Sequence, residues 1–341
     1  MPLLSLWLIL SALLLAVALT RVAIGYAHRR GMLDQPGQRR SHVIPTPRGG
    51  GIGIVAAVLA SVPLALLKLP GAWPASVVIS FVVALLLVAL VGWWDDHRSL
   101  GVLLRFAVQL VAAGLFSASL LGHGLAWWWL PLLIVAGCWS INLHNFMDGI
   151  DGLLAQQGIF VFVGFSLMAA SVMQPALACA SVCMAAACAG FWLYNRSPAR
   201  IFMGDVGSGS LGLLAFAMTA MLWQIRKELL WPALILCSSF VIDASLTLLV
   251  RVWRGRRWYN SHREHLYQWM VRTGQTHAQT GAYYLGWNLF VALPLALFAM
   301  GYPRMALPIC IVAYAATSAA WLALKHRLLR RDLHKVRHVS Q

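Results

Sequence analysis

The sequence is short of acidic side chains and of charge in general. Asp and Glu number 10 in 341 residues, and charged residues make up 11% of the chain against 60% hydrophobic residues. Soluble domains carry about 25% charged residues, so the composition excludes an ordinary soluble domain. The six cysteines form no C-x-x-C pair and all lie in apolar runs, which indicates core residues instead of a zinc or redox site.

Long apolar runs take the place of the missing charge. A helix needs about 20 residues to cross a hydrocarbon core of about 30 Å. We therefore predict an all-α polytopic membrane protein with a single membrane domain over residues 1–325 and a basic tail over 326–341. We interpret the first run as a retained span, because its basic residues follow it, whereas those of a signal peptide precede it. About eleven transmembrane helices are predicted, at 3–24, 50–68, 74–94, 102–121, 126–143, 156–172, 176–194, 208–224, 230–250, 282–300 and 303–324.

Basic residues are distributed unevenly around these runs. The formal net charge is +16, and 20 of the 26 Lys and Arg lie in the odd-numbered connections or in the C-terminal tail. The positive-inside rule makes these segments cytoplasmic, with the N-terminus outside and the C-terminus in the cytoplasm. Because the basic residues lie between apolar runs, we expect anionic lipid and an anionic substrate as partners, and no nucleic acid.

The same topology collects the acids at one membrane face. Asp95, Asp96, Asp148, Asp151 and Asp205 all lie at its cytoplasmic side. A carboxylate at the edge of an apolar segment is costly to desolvate unless it is paired or metal-bound. Several acidic segments meeting at one face predict an active site there. A transport pathway would place its ionisable groups nearer the bilayer midplane.

Two of the acidic clusters end apolar spans. Adjacent carboxylates repel, so in Asp95-Asp96 we expect one to hold a proton or both to face a cation, although a plain loop start also explains the pair. In Asn142-x-x-Asn145-x-x-Asp148-Gly-x-Asp151-Gly the polar residues recur in steps of three. If this stretch is helical, they share one face, and the glycines allow a backbone or ligand to approach closely.

The third cluster, Gly204-Asp205-Val206-Gly207-Ser208-Gly209, precedes a span. Glycines opening a helix present free backbone N–H groups, which form a natural phosphate seat. Asp205 beside it is a natural Mg²⁺ ligand, because Mg²⁺ prefers one or two carboxylates together with substrate phosphates. A glycine turn with an Asp cap is the alternative if the motif stands alone.

Two interior loops carry the remaining polar motifs. The loop at 254–268 contains Arg254-Gly-Arg-Arg257 and then His262-Arg-Glu-His-Leu-Tyr-Gln268. Arginines suit bidentate phosphate contacts, and the positive-inside topology does not explain the histidine run. The bases of the first loop either contact an anionic headgroup or only mark the topology: Arg39, Arg40, His42 and Arg48.

These motifs together resemble the polyprenyl-phosphate N-acetylhexosamine-1-phosphate transferases. The matching features lie between residues 34 and 268: Pro-Thr-Pro-Arg-Gly-Gly at 45–50, Asp95-Asp96 with Arg105, Asn142 through Gly152, Asn195 with Pro198, Phe202 through Ser208, Asp243 and the His265 loop. The resemblance implies a catalytic domain in the bacterial cytoplasmic (inner) membrane with its active site facing the cytoplasm. Its expected reaction moves an N-acetylaminosugar-1-phosphate from a UDP-sugar to polyprenyl (undecaprenyl) phosphate and releases UMP. Mg²⁺, with Mn²⁺ as a substitute, is the expected cofactor, and a homodimer is one expected assembly.

The resemblance also implies roles for individual residues. Asp205 is expected to ligate Mg²⁺. Asp95 is expected to face the lipid phosphate, as its base or as an electrostatic partner, with Asp96 supporting Asp95 or the metal. Asp148 and Asp151 complete the catalytic set and organise the nucleotide and metal. The expected substrate contacts are Arg48, Arg105, Asn142, Asn145, Asn195 on the uridine side, and Arg263 with His265 on the diphosphate or sugar.

One difference from the family's sequence pattern indicates which branch of the family this chain resembles. Peptidoglycan enzymes carry three consecutive histidines in the last loop, and the common-antigen type carries His-x-His-His. Here His265 is followed by Leu266, Tyr267 and Gln268. The departure favours a simple UDP-N-acetylamino sugar, 6-deoxy sugars included, and resembles the branch that initiates O-antigen in lipopolysaccharide synthesis. The alternative function is a transporter or flippase of an anionic lipid-linked substrate.

Overall fold

The computed structural model describes residues 2–35, 45–123, 125–256 and 263–339, and of residues 331–339 only the backbone. Within these ranges the strands are β1 (Leu33–Asp34) and β2 (Thr46–Pro47), which form a short antiparallel pair. Several basic residues singled out in the sequence lie outside the described residues: Arg39, Arg40, His42, Arg257 and His262.

Helices make up nearly all of the described chain, which confirms the predicted all-α class. Nine helical segments of the described residues are long and apolar enough to cross a membrane, and one further apolar helix is shorter. In chain order the helices are α1 (Pro2–Arg30), α2 (Ile52–Lys68), α3 (Ala75–His97), α4 (Val102–Leu121), α5 (Leu130–Phe146), α6 (Leu153–Ser171), α7 (Pro175–Asn195), α8 (Asp205–Ile225), α9 (Leu230–Trp253), α10 (Leu266–Arg272), α11 (His277–Trp287), α12 (Leu293–Gly301) and α13 (Ala306–Val339).

Each of the eleven predicted spans overlaps these helices, with edges that differ by several residues. The span predicted at 282–300 consists of α11, a π-helical turn (Asn288–Ala292) and α12 in succession. The span predicted at 303–324 is the first part of α13. The boundary predicted after residue 325 therefore falls inside a helix.

Helix α8 is the most deeply buried of the nine membrane-crossing candidates and packs against α2, α3, α5 and α6. Helices α2 and α3 come close to the first turn of α8 because glycines lie at the contacts. A Cβ on Gly92 of α3 would lie 2.5 Å from the backbone oxygen of Asp205, and a Cβ on Gly207 would lie 2.7 Å from the Cα of Gly51. Because only glycine fits such crossings, α2 and α3 lie directly against the start of α8. This junction places the acidic end of α3 beside Asp205.

Helix α13 lies along α9 on another side of the bundle. Its Trp321 Nε1 donates to the buried Asp243 of α9 over 2.9 Å. The same carboxylate accepts from the backbone N–H of Leu266 at 2.7 Å and from the Tyr284 hydroxyl at 2.7 Å. Asp243 thus joins α9, α10, α11 and α13, and it sets the position of the short helix α10.

Candidate active site

A polar cavity of about 250 Å³ lies where the acidic clusters converge. A second, mainly apolar cavity of about 390 Å³ is separate from it and lies between α9, α11 and α13. The polar cavity is lined by Asp34, Arg48, Asp96, Asp148, Gly149, Ile150, Asp151, Asn195, Phe202, Gly204, Asp205, Arg263, Gln268 and His277. Residues distant in sequence, from the first loop to α11, therefore contribute to one site.

Asp96, at the end of α3, caps the start of α8. Its Oδ1 accepts from the backbone N–H of Asp205 at 3.1 Å, and its Oδ2 accepts from the N–H of Val206 at 3.2 Å. The first N–H groups of an α-helix have no intrahelical partner, so a carboxylate is well placed there. The preceding Gly204 has φ +75°, and a Cβ on it would lie 2.5 Å from Asp96 Oδ2. The predicted phosphate seat at this helix start is therefore wrong for Asp205 and Val206, because Asp96 already satisfies both N–H groups.

Asp95, the neighbour of Asp96 on α3, joins an ion-pair bridge. Its Oδ2 lies 2.7 Å from Nη1 of Arg105, and the same Nη1 lies 3.0 Å from Oδ2 of Asp205. The other oxygen of Asp95 accepts from the N–H of Leu100 at 2.6 Å. Arg105 thus holds a predicted catalytic carboxylate, Asp95, beside the predicted metal ligand, Asp205, in this structure.

Asn145, near the end of α5, also contacts Asp205. Its Nδ2 donates to Asp205 Oδ1 over 2.9 Å and to the Ser208 hydroxyl over 3.0 Å. Asn142 is directed elsewhere: its Nδ2 donates to Gln109 of α4 over 2.7 Å. Among the predicted asparagines of α5, the structure therefore brings only Asn145 to the acidic cluster.

The predicted helical face from Asn142 to Asp151 is wrong beyond α5. The helix ends at Phe146, and Asp148 to Gly152 form the turn before α6, in which Gly152 has φ +75°. Asp148 nevertheless lines the cavity. Burial, followed by the negative charges of Asp205 and Asp96, raises the pKa of Asp148 to about 8. These buried, acid-rich surroundings thus favour the protonated form of Asp148.

Asp151 is held from two sides in the same turn. Its Oδ1 lies 3.1 Å from Nδ1 of His277, and its Oδ2 accepts from the N–H of Ala199 at 3.2 Å. Burial by itself raises the pKa of Asp151, but the hydrogen bond and charge of His277, together with hydrogen bonds from Ala199 and Ser197, outweigh burial and lower it below the ordinary value. The sequence interpretation missed His277. The signal available was Thr276-x-x-Gln279, a capping box that predicts a helix starting at His277.

Asn195, at the end of α7, anchors the same turn. Its Oδ1 accepts from the N–H of Gly152 at 3.0 Å, and its Nδ2 donates to the carbonyl of Ile201 over 2.9 Å. Its side chain is buried but borders the cavity. In this structure Asn195 therefore fixes the wall of the cavity near Asp151.

The predicted bases divide between the cavity and the protein core. Arg48 donates to the backbone carbonyl of Asp96, and both Arg48 and Arg263 line the cavity. His265 is only 2% exposed and stacks between the rings of Phe146 and Tyr267, with centroid distances of 6.2 and 5.8 Å. Burial lowers the pKa of His265. His265 is not among the described residues that line the cavity.

The donor chemistry of the cluster fits Mg²⁺. Asp205, Asp95, Asp148 and Asn145 present hard oxygen atoms, which Mg²⁺ prefers. Among the described residues no three His, Cys, Asp or Glu side chains are arranged to hold a metal by themselves. Mg²⁺ commonly takes one or two carboxylates and completes its shell with substrate phosphates and water. The site therefore suits an ion that binds together with a phosphate ligand.

Comparisons with known proteins identify the family of the chain. A family model described as Glycosyl transferase family 4 matches residues 78–223. A decaprenyl-phosphate N-acetylglucosaminephosphotransferase of Mycobacterium leprae (strain TN) is 30% identical over 86% of this chain and 83% of its own. A probable undecaprenyl-phosphate N-acetylglucosaminyl 1-phosphate transferase of Bacillus subtilis (strain 168) is 27% identical over 79% of this chain and 76% of its own. A phospho-N-acetylmuramoyl-pentapeptide-transferase of Synechococcus sp. (strain RCC307) is 35% identical over 48% of this chain and 51% of its own.

The fold and the site define a polytopic bacterial membrane transferase. The chain belongs to the polyprenyl-phosphate N-acetylhexosamine-1-phosphate transferases of glycosyl transferase family 4, as its motifs predict.

Proposed function

We propose that this protein transfers an N-acetylaminosugar 1-phosphate from a UDP-sugar to polyprenyl phosphate and releases UMP. The observation that carries this proposal is the cavity where Asp205 and Asp148 face Arg48 and Arg263. Carboxylates beside arginines suit a substrate with two phosphates and a divalent cation. The names of the relatives from Mycobacterium leprae and Bacillus subtilis describe the same kind of acceptor and sugar phosphate.

The reaction needs positioning and charge neutralisation more than covalent help from the protein. An oxygen of the lipid phosphate attacks the β-phosphorus of the UDP-sugar, and a new P–O bond forms. The bond from that phosphorus to the bridging oxygen breaks, and UMP leaves with the electron pair. Among the described residues that line the cavity, Arg48 and Arg263 carry guanidinium groups, which suit contacts with the phosphates.

Asp205 and Asp148 would hold Mg²⁺, which when bound neutralises negative charge on the diphosphate. Asp95 acts as an electrostatic partner in this proposal. Both of its oxygens are engaged, one by the Leu100 N–H and one by Arg105, and a carboxylate held in this way is a weak base. Asp96 supports the site by fixing the first turn of α8, which carries Asp205.

For the donor we propose a simple UDP-N-acetylamino sugar, such as UDP-N-acetylglucosamine or a 6-deoxy relative. Two relatives that match most of the chain are named for N-acetylglucosamine phosphate, which supports a donor of this size. The His265-Leu-Tyr-Gln run supports the same donor class and a role in starting O-antigen synthesis. We further propose that the cavity faces the cytoplasm from the inner membrane, because most Lys and Arg lie in the connections on that side.

The test is UMP release by purified protein with polyprenyl phosphate, Mg²⁺ and a panel of UDP-sugars. We expect UMP release with at least one UDP-N-acetylamino sugar. The Asp205→Asn variant should fold normally but show no Mg²⁺-dependent UMP release. Glu228→Gln is the matched control, because this exposed carboxylate lies at the other end of α8 and should be dispensable. Full activity in Asp205→Asn would refute the metal-ligand assignment. No UMP release with any sugar would favour the transporter alternative.

A further inference from the structure

His277 lines the polar cavity, and neither the reaction nor the metal assigns it a role. It is the first residue of α11, held there by a capping box in which the Thr276 hydroxyl accepts from the Gln279 N–H at 3.1 Å. The side chains of His277 and Asp151 are only 12% and 10% exposed. A side-chain contact this enclosed has a defined geometry, unlike a pair on an open surface.

The His277–Asp151 pair lies where the turn before α6 meets the segment after α7, since Asp151 also accepts from the Ala199 N–H, whereas Asp96 and Asp205 meet at the start of α8. Asp148 lies under the electrostatic influence of Asp205 and Asp96. The groups that act on Asp151 are instead His277, the Ala199 N–H and the Ser197 side chain. The cavity therefore has an acid-rich end and a second end built around Asp151.

A UDP-sugar also has two chemically distinct parts, which match the two ends of the cavity. Its reacting β-phosphorus belongs at the acid-rich end, beside Asp205. The sugar is attached directly to the β-phosphate, whereas the nucleoside is attached through the α-phosphate and therefore lies further from the reacting phosphorus. The nucleoside is thus the part of the UDP-sugar that reaches the Asp151 end of the cavity. A carboxylate suits the nucleoside, because ribose hydroxyls and the uracil N–H are hydrogen-bond donors.

Resting on the proposed function, we infer that His277 is a positioning residue for the nucleotide donor. It holds Asp151 so that the carboxylate faces the nucleoside of the UDP-sugar. Without His277, Asp151 keeps the Ala199 N–H and the Ser197 side chain but loses its contact with α11. The carboxylate is then no longer fixed from the α11 side of the cavity.

The experiment compares three proteins: wild type, His277→Leu and His277→Asn. The Asn side chain places an amide N–H close to the position of Nδ1, whereas Leu has a similar size and no donor. UDP binding in the presence of Mg²⁺ is measured by calorimetry, and steady-state UMP release is measured separately. We expect His277→Leu to raise the Kd for UDP at least about tenfold, the loss typical of a hydrogen bond to a charged group. His277→Asn should stay within about threefold of wild type.

The KM for polyprenyl phosphate and the value of kcat should change less than about threefold in both variants, because His277 acts through Asp151 on the nucleoside and not on the reacting phosphorus. Asp151→Asn should also weaken UDP binding, and adding His277→Leu to it should cause no further loss. That pattern distinguishes positioning through Asp151 from general damage to the fold. If His277→Leu fails to fold, His277→Gln replaces it, because its amide lies beyond the Nδ1 position and should give the same loss.

Three results would overturn the inference. They are unchanged UDP binding in His277→Leu, equal losses in His277→Asn and His277→Leu, and weaker binding by the double variant than by Asp151→Asn. The proposed function fails separately. Wild-type protein that binds UDP but releases no UMP would refute the reaction, and the binding comparison would still test His277. Wild-type protein that binds no UDP would overturn both.

Discussion

The Asp96 cap allows a structural carboxylate to be separated from a catalytic one by experiment. Asp96→Asn keeps the size of the side chain but replaces one acceptor oxygen by an NH₂ group. Of the N–H groups of Asp205 and Val206, one then faces a donor and loses its hydrogen bond. Because Asp96 is only 3% exposed, water does not replace that bond easily. Leaving a buried donor unsatisfied costs about 1–3 kcal/mol, and Asp96→Ala, which removes both acceptors, should cost about twice as much.

The assay is thermal unfolding of the purified protein in detergent, followed by tryptophan fluorescence without Mg²⁺ or substrate. We expect the unfolding midpoint to fall by several degrees in Asp96→Asn and further in Asp96→Ala. Asp95→Asn is the matched control. It keeps the acceptor for Leu100 and loses a partly exposed ion pair with Arg105, which contributes about 0–1 kcal/mol. A midpoint for Asp96→Asn equal to that of wild type, or a larger fall in Asp95→Asn, would refute the capping role.

Three further predictions concern the charges around the cavity and its support. Arg105→Gln should lower UMP release at least about tenfold, because Asp205 loses its bridging cation; Arg105→Lys should retain more activity, and equal rates in both would contradict the bridge. Since the pKa of Asp148 is raised to about 8, its folded state holds a proton that the unfolded state releases. Stability from this group should therefore decline as pH rises from about 4 to about 8, and the gain in unfolding midpoint of Asp148→Asn over wild type should be clearly larger at pH 8.5 than at pH 5, in buffer without Mg²⁺. Trp321→Phe should destabilise the protein by about 1–3 kcal/mol, because Asp243 loses a buried donor; an unchanged midpoint in chemical or thermal unfolding would argue against that support.

The membrane helices could be predicted because an apolar run in lipid must satisfy its backbone hydrogen bonds internally, and a helix does so. The location of the acids could be predicted for a related reason. Carboxylates are tolerated at span ends, and the uneven distribution of Lys and Arg places those ends on one side. Asp205 is an example: the glycines beside it predict the start of α8 within a few residues.

Contacts between distant segments could not be predicted. Asp96 and Asp205 are 109 positions apart, and their contact depends on how closely Gly92 lets α3 approach α8. Asp151 and His277 are 126 positions apart, and neither has a local pattern that points to the other. Asn142 shows the reverse case. Its spacing from Asn145 suggests a shared role, but Asn142 instead donates a hydrogen bond to Gln109 of the neighbouring helix α4.

The glycine junction of α2, α3 and α8 also makes the site modular. It sets the relative positions of Asp95, Asp96 and Asp205 through backbone contacts that depend on no ligand. Arg263, Gln268 and His277 enter the cavity from a separate stretch after α9. A chimera that exchanges only that stretch could thus acquire a new donor preference while its phosphate chemistry is preserved. A single methyl group added at Gly92 or Gly207 would disturb the chemistry itself.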